Sequence, residues 1–129
     1  LSGTTPQAAP TRLFIAGDAA HTVPPTGAKG LNLAMADICA LAPGLVQAVK
    51  KSESSLLSTY TERALPRLWK TQHFSYWMSS MLHSVPAEDE LTSAFHTNRR
   101  LAELSTVVSS DAGRQLLAQQ YVGWDFPAI

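Results

Sequence analysis

Residues 12–32 read Arg-Leu-Phe-Ile-Ala-Gly-Asp-Ala-Ala-His-Thr-Val-Pro-Pro-Thr-Gly-Ala-Lys-Gly-Leu-Asn and carry most of the information on the fold of this chain. The first five residues of this stretch are mostly apolar and predict a short strand over Arg12 to Ala16. A loop with two prolines and two glycines follows, and the pattern of a helix begins at Gly30. This order of strand, carboxylate, glycine-rich loop and helix is how open α/β sheets form a ligand crevice at the carboxyl ends of their strands.

Four residues of this stretch suit contact with a ligand. Gly17 lets the backbone turn sharply and approach a ligand closely, and Asp18 offers acceptors for the hydroxyl groups of a sugar or sugar alcohol. Gly27 and Gly30 leave backbone N–H groups uncovered where the helix starts, and a helix N-terminus favours an anion or a delocalised negative charge. A Gly-Asp pair by itself fits a simple turn equally well, so the inference depends on the whole stretch.

The run from Gly17 to Ala34 resembles the second flavin-binding motif of the FAD-dependent aromatic hydroxylases, the class A flavoprotein monooxygenases. The resemblance lies in Gly-Asp-Ala-Ala-His, the paired prolines, the two loop glycines and Gly-Leu-Asn at the helix start. Further similarity occurs at Trp69-Lys70, Phe74 to Met78 and Tyr121 to Gly123, so it extends over about residues 12–123. It implies a parent enzyme that binds FAD, is reduced by NADH or NADPH, and uses O₂ to hydroxylate a small phenolic acid ortho to its hydroxyl group.

The resemblance also implies roles for individual residues. Cofactor contact is implied for Gly17, Asp18, Pro25, Gly30, Leu31 and Asn32. Among these, Asp18 would contact the ribityl chain, and the backbone donors at the helix start would face the pyrimidine edge of the flavin. Substrate contact is implied for Pro25, Thr26 and Tyr121, and a catalytic role for two of them: the carbonyl of Pro25 would face the phenol oxygen, and Tyr121 would relay its proton.

Each of these residues also has a purely structural interpretation. Pro24, Pro25 and Thr26 can form a rigid turn, and Asn32 can simply begin a helix. A tyrosine near the end of a chain, such as Tyr121, is more often a packing residue whose hydroxyl reaches the surface.

The length of 129 residues predicts one hydrophobic core at most. Members of the family are longer and bind the ADP half of FAD with a Gly-x-Gly-x-x-Gly loop near the N-terminus, a spacing that none of the seven glycines here has. We therefore expect a single C-terminal fragment that is inactive by itself. Residues 1–33 would carry the strand and the second FAD-binding motif, and residues 34–129 a helical part with a possible homodimer contact.

From Gly30 onward the sequence predicts helices. The first ends before a polar break at Ser52 to Ser55, and the second runs to about His83. The third begins near Pro86 and Glu88, and the last spans Ala112 to Gln120 behind Ser110-Asp111. The predicted fold class is mainly α: one N-terminal strand and a flavin-binding loop followed by four helices, as the C-terminal part of an α/β FAD-binding monooxygenase. Periodicity predicts that the buried face of the first helix comprises Leu31, Ala34, Ile38, Leu41, Leu45 and Ala48.

Charge and composition exclude several classes. Ten basic and ten acidic residues leave no net charge, so we expect neither a nucleic-acid partner nor a polybasic membrane patch. No apolar run approaches the ~20 residues of a membrane helix. The single Cys39 excludes an internal disulfide and favours a reducing, cytoplasmic location. No metal site is predicted, because the spacings of the histidines fit no ligand motif, and His21 is expected to belong to the loop structure.

Two alternatives stay open. The first is a related hydroxylase that acts on another aromatic acid or phenol. The second is a helical interaction module that has kept the motif but no longer binds flavin. A folded dimer that does not bind FAD would favour the second alternative.

Overall fold

The computed structural model describes residues 13–84 and 89–123 of the chain. In this part, a short 3-10 turn at Gly17–Ala19 is followed by α1 (Gly30–Lys51), α2 (Ser55–Ser58), α3 (Tyr60–Leu82), α4 (Glu90–Ser109) and α5 (Asp111–Val122). The prediction of a mainly α fold is confirmed for these residues. Of the predicted strand, Arg12 lies outside the described residues, and residues 13–16 lie inside them without forming a strand there, although Ala16 has an extended backbone. The strand therefore stays a prediction.

The predicted second helix is divided at Thr59 into α2 and α3. The hydroxyl of Thr59 donates to the carbonyls of Ser55 and Leu56 at 3.3 and 3.4 Å. Such local side-chain bonds compete with the helical backbone pattern. The division is therefore a local effect of Thr59 that apolar periodicity alone does not reveal.

The ends of the last two helices are set by capping side chains. The predicted start of the third helix, Pro86 and Glu88, lies outside the described residues. In the structure, Asp89 caps α4 by accepting the N–H of Thr92 at 2.7 Å. The predicted cap of the last helix is confirmed, because the Oγ of Ser110 accepts the N–H of Gly113 at 3.0 Å.

The predicted buried face of α1 is wrong. Only Leu41 of the predicted stripe is buried, whereas Leu31 is 74%, Ile38 50% and Leu45 43% exposed. The face that is buried consists of Leu33, Ala36, Asp37, Ala40, Leu41 and Gly44. Small residues on this face permit close contact: a Cβ at Gly44 would lie only 2.9 Å from the Cδ2 of Leu57. Since α1 is apolar around most of its circumference, its periodicity could not single out the packed face.

By length and composition alone, α1 could cross a membrane, although the sequence contains no uninterrupted apolar run of that length. Core helices of water-soluble proteins meet the same criterion. Here α1 packs against α3, and its buried face carries the carboxylate of Asp37. A carboxylate on the packed face belongs with a protein interior that supplies hydrogen-bond donors to it.

Two apolar clusters hold the helices together. One joins Ala40 and Leu41 of α1 to Tyr60 of α3. The other joins Phe74, Met78 and Met81 of α3 to partly buried side chains of α4 and α5, namely Leu104, Val107 and Leu117. The outer parts of α4 are different, because Leu91 is 83%, Phe95 65% and Leu101 58% exposed.

Tyr60 makes the stability of the protein sensitive to high pH. Burial raises the pKa of Tyr60 from 10.0 to about 12. The negative charge of Asp37 also raises this pKa, and the positive charge of Arg63 lowers it by a smaller amount. The buried phenol also donates to the carbonyl of Ile15 at 3.1 Å. An unfolded tyrosine ionises near pH 10, so this contribution to stability is fully present below pH 10 and is lost as the pH rises to about 12.

We expect the loss over this range to reach about 2 kcal/mol once screening by solvent is allowed for. The measurement is denaturant unfolding at several alkaline pH values, with wild type compared to Tyr60→Phe. The difference in the free energy of unfolding between wild type and Tyr60→Phe should shrink as the pH rises. A difference that stays constant would contradict the raised pKa.

Candidate functional site

The loop between residue 16 and the start of α1 at Gly30 contains the candidate site, and its first half is a tight turn at Gly17. Its φ is +61°, a left-handed conformation that glycine adopts without strain. The carbonyl of Gly17 accepts the N–H groups of Ala20 and His21 at 2.8 and 3.0 Å. A Cβ at Gly17 would lie 3.4 Å from the Cβ of Ala34, so the turn lies close against α1. The turn leaves the side chain of Asp18 exposed to solvent.

A buried carboxylate fixes this turn to α1. The Oδ2 of Asp37 accepts the N–H of Gly17 at 2.8 Å and lies 2.5 Å from the Nε2 of His21. His21 is 5% and Asp37 4% exposed. The expectation that His21 belongs to the loop structure is confirmed. Each member of this trio supplies the hydrogen bond that burial requires of the others.

The second half of the loop is a turn from Pro25 to Ala28. The carbonyl of Pro25 accepts the N–H of Ala28 at 2.9 Å. Gly27 is the third residue of the turn and has φ +86°, the sign that a type II turn requires there. A Cβ at Gly27 would come within 2.7 Å of the ring of Phe74, which is fully buried. The ring of Phe74, a residue of α3, therefore packs directly against the turn.

Thr26 is tied to α3. The Oγ of Ser79 donates to the Oγ1 of Thr26 at 2.6 Å, and the Nε2 of His83 lies 3.4 Å from the same oxygen. Nearby, the side-chain amide of Gln72 donates to the carbonyl of Thr22 at 2.7 Å. The loop is thus held by α1 at its first turn and by α3 at its second.

Lys29 connects the loop to the end of α5. Its Nζ donates to the backbone carbonyl of Tyr121, 92 residues along the chain. The same nitrogen lies 5.3 Å from the ring centroids of both Phe74 and Tyr121, within the range of a cation–π contact. The two rings pack edge to face with centroids 6.1 Å apart. Burial, with the charge of Arg67 adding, lowers the pKa of Lys29.

The N-terminus of α1 has the properties of an acceptor site for negative charge. Leu33 makes the first helical hydrogen bond, to the carbonyl of Lys29 at 2.9 Å. The N–H groups of Gly30, Leu31 and Asn32 come before it, no side chain caps the helix, and its first turn has no acidic residue. The side chains of Leu31 and Asn32 are exposed. The positive end of the helix dipole is therefore neither capped by a side chain nor neutralised by an acid of its own first turn.

The structure brings most of the predicted site residues onto one loop with fixed supports. Gly17 and Asp18 lie on its first turn, Pro25 and Thr26 on its second, and Gly30, Leu31 and Asn32 at the helix start that ends it. Tyr121 joins them through Lys29 and Phe74, with its side chain 56% exposed. The Pro25 carbonyl, which the resemblance directs at a phenol oxygen, accepts the N–H of Ala28, and a carbonyl oxygen can accept a second hydrogen bond.

The sequence did not predict roles for Asp37, Ser79 or Lys29. For Asp37 a signal existed: it is the one acidic residue of an otherwise apolar helix, at a position that packs. Lys29 and Ser79 carried no such signal, because their partners lie 92 and 53 residues away.

No group of three or more His, Cys, Asp or Glu side chains that could hold a metal ion occurs within residues 13–84 and 89–123. The chemistry of the loop is instead that of an organic ligand. It combines an exposed carboxylate with an uncapped helix N-terminus, and this pair suits a molecule with a polyhydroxyl chain and a ring that takes up negative charge. FAD has both of these parts.

Comparison with known proteins agrees with this chemistry. Residues 5–75, more than half of the chain, match the family described as FAD binding domain. The chain is also 46% identical over 112 residues to p-hydroxybenzoate hydroxylase of Acinetobacter baylyi. That match covers 87% of this chain and 27% of the relative, so the chain spans about a quarter of the relative's length. The family match covers the loop, α1, α2 and most of α3, and the chain belongs to the family described as FAD binding domain.

Proposed function

We propose that the chain is the C-terminal part of an aromatic hydroxylase that resembles 4-hydroxybenzoate 3-monooxygenase. The whole enzyme would take electrons from NADH or NADPH and hydroxylate a small phenolic acid with O₂, ortho to its hydroxyl group. The observation that carries this proposal is the exposed Asp18 beside an uncapped α1, in a loop matched by the FAD binding domain family.

The cofactor-facing residues would bind and orient FAD, which supplies the redox and oxygen chemistry when it is bound. Asp18 would accept a hydrogen bond from a ribityl hydroxyl group. The N–H groups of Gly30, Leu31 and Asn32 would donate to the pyrimidine edge of the flavin, where negative charge collects on reduction. A helix N-terminus stabilises such charge without reorganisation during the reaction.

The substrate-facing residues would hold the phenol and move its proton. The remaining lone pair of the Pro25 carbonyl would accept a hydrogen bond from the phenolic hydroxyl group. The hydroxyl of Tyr121 would take part in relaying that proton. Thr26, fixed by Ser79, would form the wall of the substrate site next to Pro25.

The rest of the enzyme would supply what this chain does not contain. Since the chain spans 27% of the relative, the ADP half of the cofactor site and the groups that bind the substrate carboxylate would come from elsewhere in the parent. We accordingly propose that the chain is inactive alone. The parent would be a cytoplasmic homodimer with neither a nucleic-acid nor a membrane partner, and its substrate could also be another aromatic acid or phenol.

One observation favours the second candidate function, a helical interaction module. Large apolar side chains lie exposed along the described parts of α4 and α5, namely Leu91, Phe95, Leu101, Val108, Leu116 and Val122. A surface of this kind commonly marks a protein contact. It also fits a hydroxylase in which another part of the parent or a second subunit covers these helices.

The test is hydroxylation of 4-hydroxybenzoate by the full-length protein, with wild type compared to Tyr121→Phe. We expect the variant to retain FAD and to hydroxylate at least ~10-fold more slowly, because a positioned proton-transfer group contributes about 10²-fold or more. Tyr76→Phe is the matched control, since Tyr76 is a 73% exposed tyrosine on α3 and should leave the rate unchanged.

Two outcomes distinguish the candidate functions, and a third tests the role of Tyr121. A wild-type protein that dimerises but neither binds FAD nor hydroxylates would support the interaction module. Flavin binding together with turnover of a different phenol would identify the related hydroxylase. Equal rates for wild type and Tyr121→Phe would remove Tyr121 from the proton relay.

A further inference from the structure

We propose that Asp37 is a positioning residue for the flavin: from inside α1 it sets where Asp18 and the start of the helix stand relative to each other. This inference rests on the proposed FAD site. It adds a residue that does not contact the cofactor and that no motif in the loop itself contains.

The geometry that carries the inference is the sharing of one oxygen. The Oδ2 of Asp37 accepts the N–H of Gly17 at 2.8 Å and lies 2.5 Å from the Nε2 of His21. These two partners lie on either side of Asp18 in the sequence. The carboxylate therefore fixes both ends of the short segment that presents Asp18 to solvent.

The position of Asp37 on the helix explains why it can set a distance. Asp37 lies seven residues after Gly30, which is two turns along the same face of α1. The segment 17–21 is bound to this point of the helix, and the uncapped N–H groups lie two turns before it. One rigid helix therefore joins the two proposed flavin contacts, the Asp18 carboxylate and the donors at residues 30–32.

Burial makes the arrangement stiff. Asp37 is 4% exposed and His21 is 5% exposed, and Gly17 is also buried. Without the carboxylate, the N–H of Gly17 and the His21 ring would be buried without this partner, a state that proteins avoid. The turn would then rearrange toward water, and Asp18 would move with it. Flavin affinity would fall although no residue touching the flavin had changed.

The experiment compares Asp37→Ala and Asp37→Asn with wild type in the full-length protein. FAD affinity is measured by the change in flavin fluorescence on titration of the apoprotein. We expect Asp37→Ala to raise the Kd of FAD at least ~10-fold, equivalent to about 1.4 kcal/mol. Asp37→Asn should recover part of the affinity, because its amide oxygen can still accept the N–H of Gly17.

A second readout needs no cofactor. Hydrogen exchange at the Gly17 amide in the apoprotein should accelerate in Asp37→Ala by more than the change in global stability accounts for. Glu103→Ala and Glu103→Gln are the matched controls. Glu103 is a carboxylate on α4 that accepts from the Nε1 of Trp77 at 2.7 Å, away from the loop. These controls should leave the Kd of FAD within about twofold of wild type.

Unchanged FAD affinity in Asp37→Ala, with wild type binding FAD normally, would overturn the inference and leave the proposed function intact. A wild type that does not bind FAD would instead overturn the proposed function. If Asp37→Ala does not fold, Asp37→Asn and His21→Gln decide: a Kd unchanged in both overturns the inference, and a raised Kd with faster Gly17 exchange supports it.

Discussion

Replacing Asp18 by alanine is expected to weaken FAD binding by about 10- to 100-fold. A hydrogen bond to a charged group contributes about 1.5–3 kcal/mol, which corresponds to this range of affinity. The carboxylate of Asp18 is exposed and lies on a turn that is held by other residues, Gly17 and Asp37. The substitution should therefore leave folding nearly unchanged, with a shift in stability within ~0.5 kcal/mol. The measurement is titration of the full-length apoprotein with FAD, with thermal unfolding as the companion.

Charge supplies a sharp control for this experiment. FAD carries a negatively charged diphosphate, so removing a carboxylate would strengthen binding if simple electrostatic repulsion were all that mattered. Asp18→Asn removes the charge and keeps the size of the side chain. The amide oxygen in Asp18→Asn can still accept a hydrogen bond, so weaker binding in this variant would show that the charge of the acceptor strengthens its bond to a ribityl hydroxyl. Tighter binding would contradict the proposed contact. Glu62→Ala, which removes an exposed carboxylate from α3, controls for the change in net charge.

Gly27→Ala is expected to destabilise the protein by about 2–4 kcal/mol and to disrupt the loop. A left-handed backbone costs a residue with a Cβ roughly 1–2 kcal/mol, and Gly27 has φ +86°. The added Cβ would also come 2.7 Å from the ring of Phe74, and overpacking a core costs a further ~1–3 kcal/mol. Phe74 cannot easily yield, because it is fully buried in the cluster that joins α3 to α4 and α5.

The matched control for this substitution is Gly30→Ala. Its Cβ would lie 3.9 Å from Val23, an ordinary contact, and Gly30 is not among the glycines with positive φ. We expect Gly30→Ala to unfold within ~0.5 kcal/mol of wild type. Denaturant unfolding of both variants gives the comparison. Equal stability of Gly27→Ala and wild type would show that the turn can move away from Phe74 at no cost.

The supports of the loop explain why its parts should respond differently to mutation. Asp37 holds the first turn, Phe74 and Ser79 hold the second, and Lys29 ties the loop to Tyr121. We expect changes at Asp18 to affect the proposed ligand contact and to leave folding nearly unchanged, because its side chain is exposed. Changes at Gly27 act on folding first, because the supporting ring is buried.

The turn at Gly17 and the helix start at Gly30 could be predicted from the sequence because their signals are local. Glycine positions, the acid after Gly17 and the start of α1 at Gly30 all depend on backbone conformation within a few residues. Capping of α5 by Ser110 is equally local and was predicted correctly. The start of the third helix near Pro86 lies outside the described residues and stays a prediction. The strand also stays a prediction, because Arg12 lies outside them and residues 13–16 form no strand within them.

The order of turn, loop and helix and the helical character of the chain after Gly30 follow from local sequence signals. The buried face of α1 does not, since a helix that is apolar nearly all round can pack on several sides, and its contacts with the other helices select one of them. The tertiary structure also brings Asp37 into hydrogen-bond contact with the first turn and Lys29 into contact with Tyr121, 92 residues away. Such pairings depend on how helices cross in space, and no spacing along the chain encodes that directly.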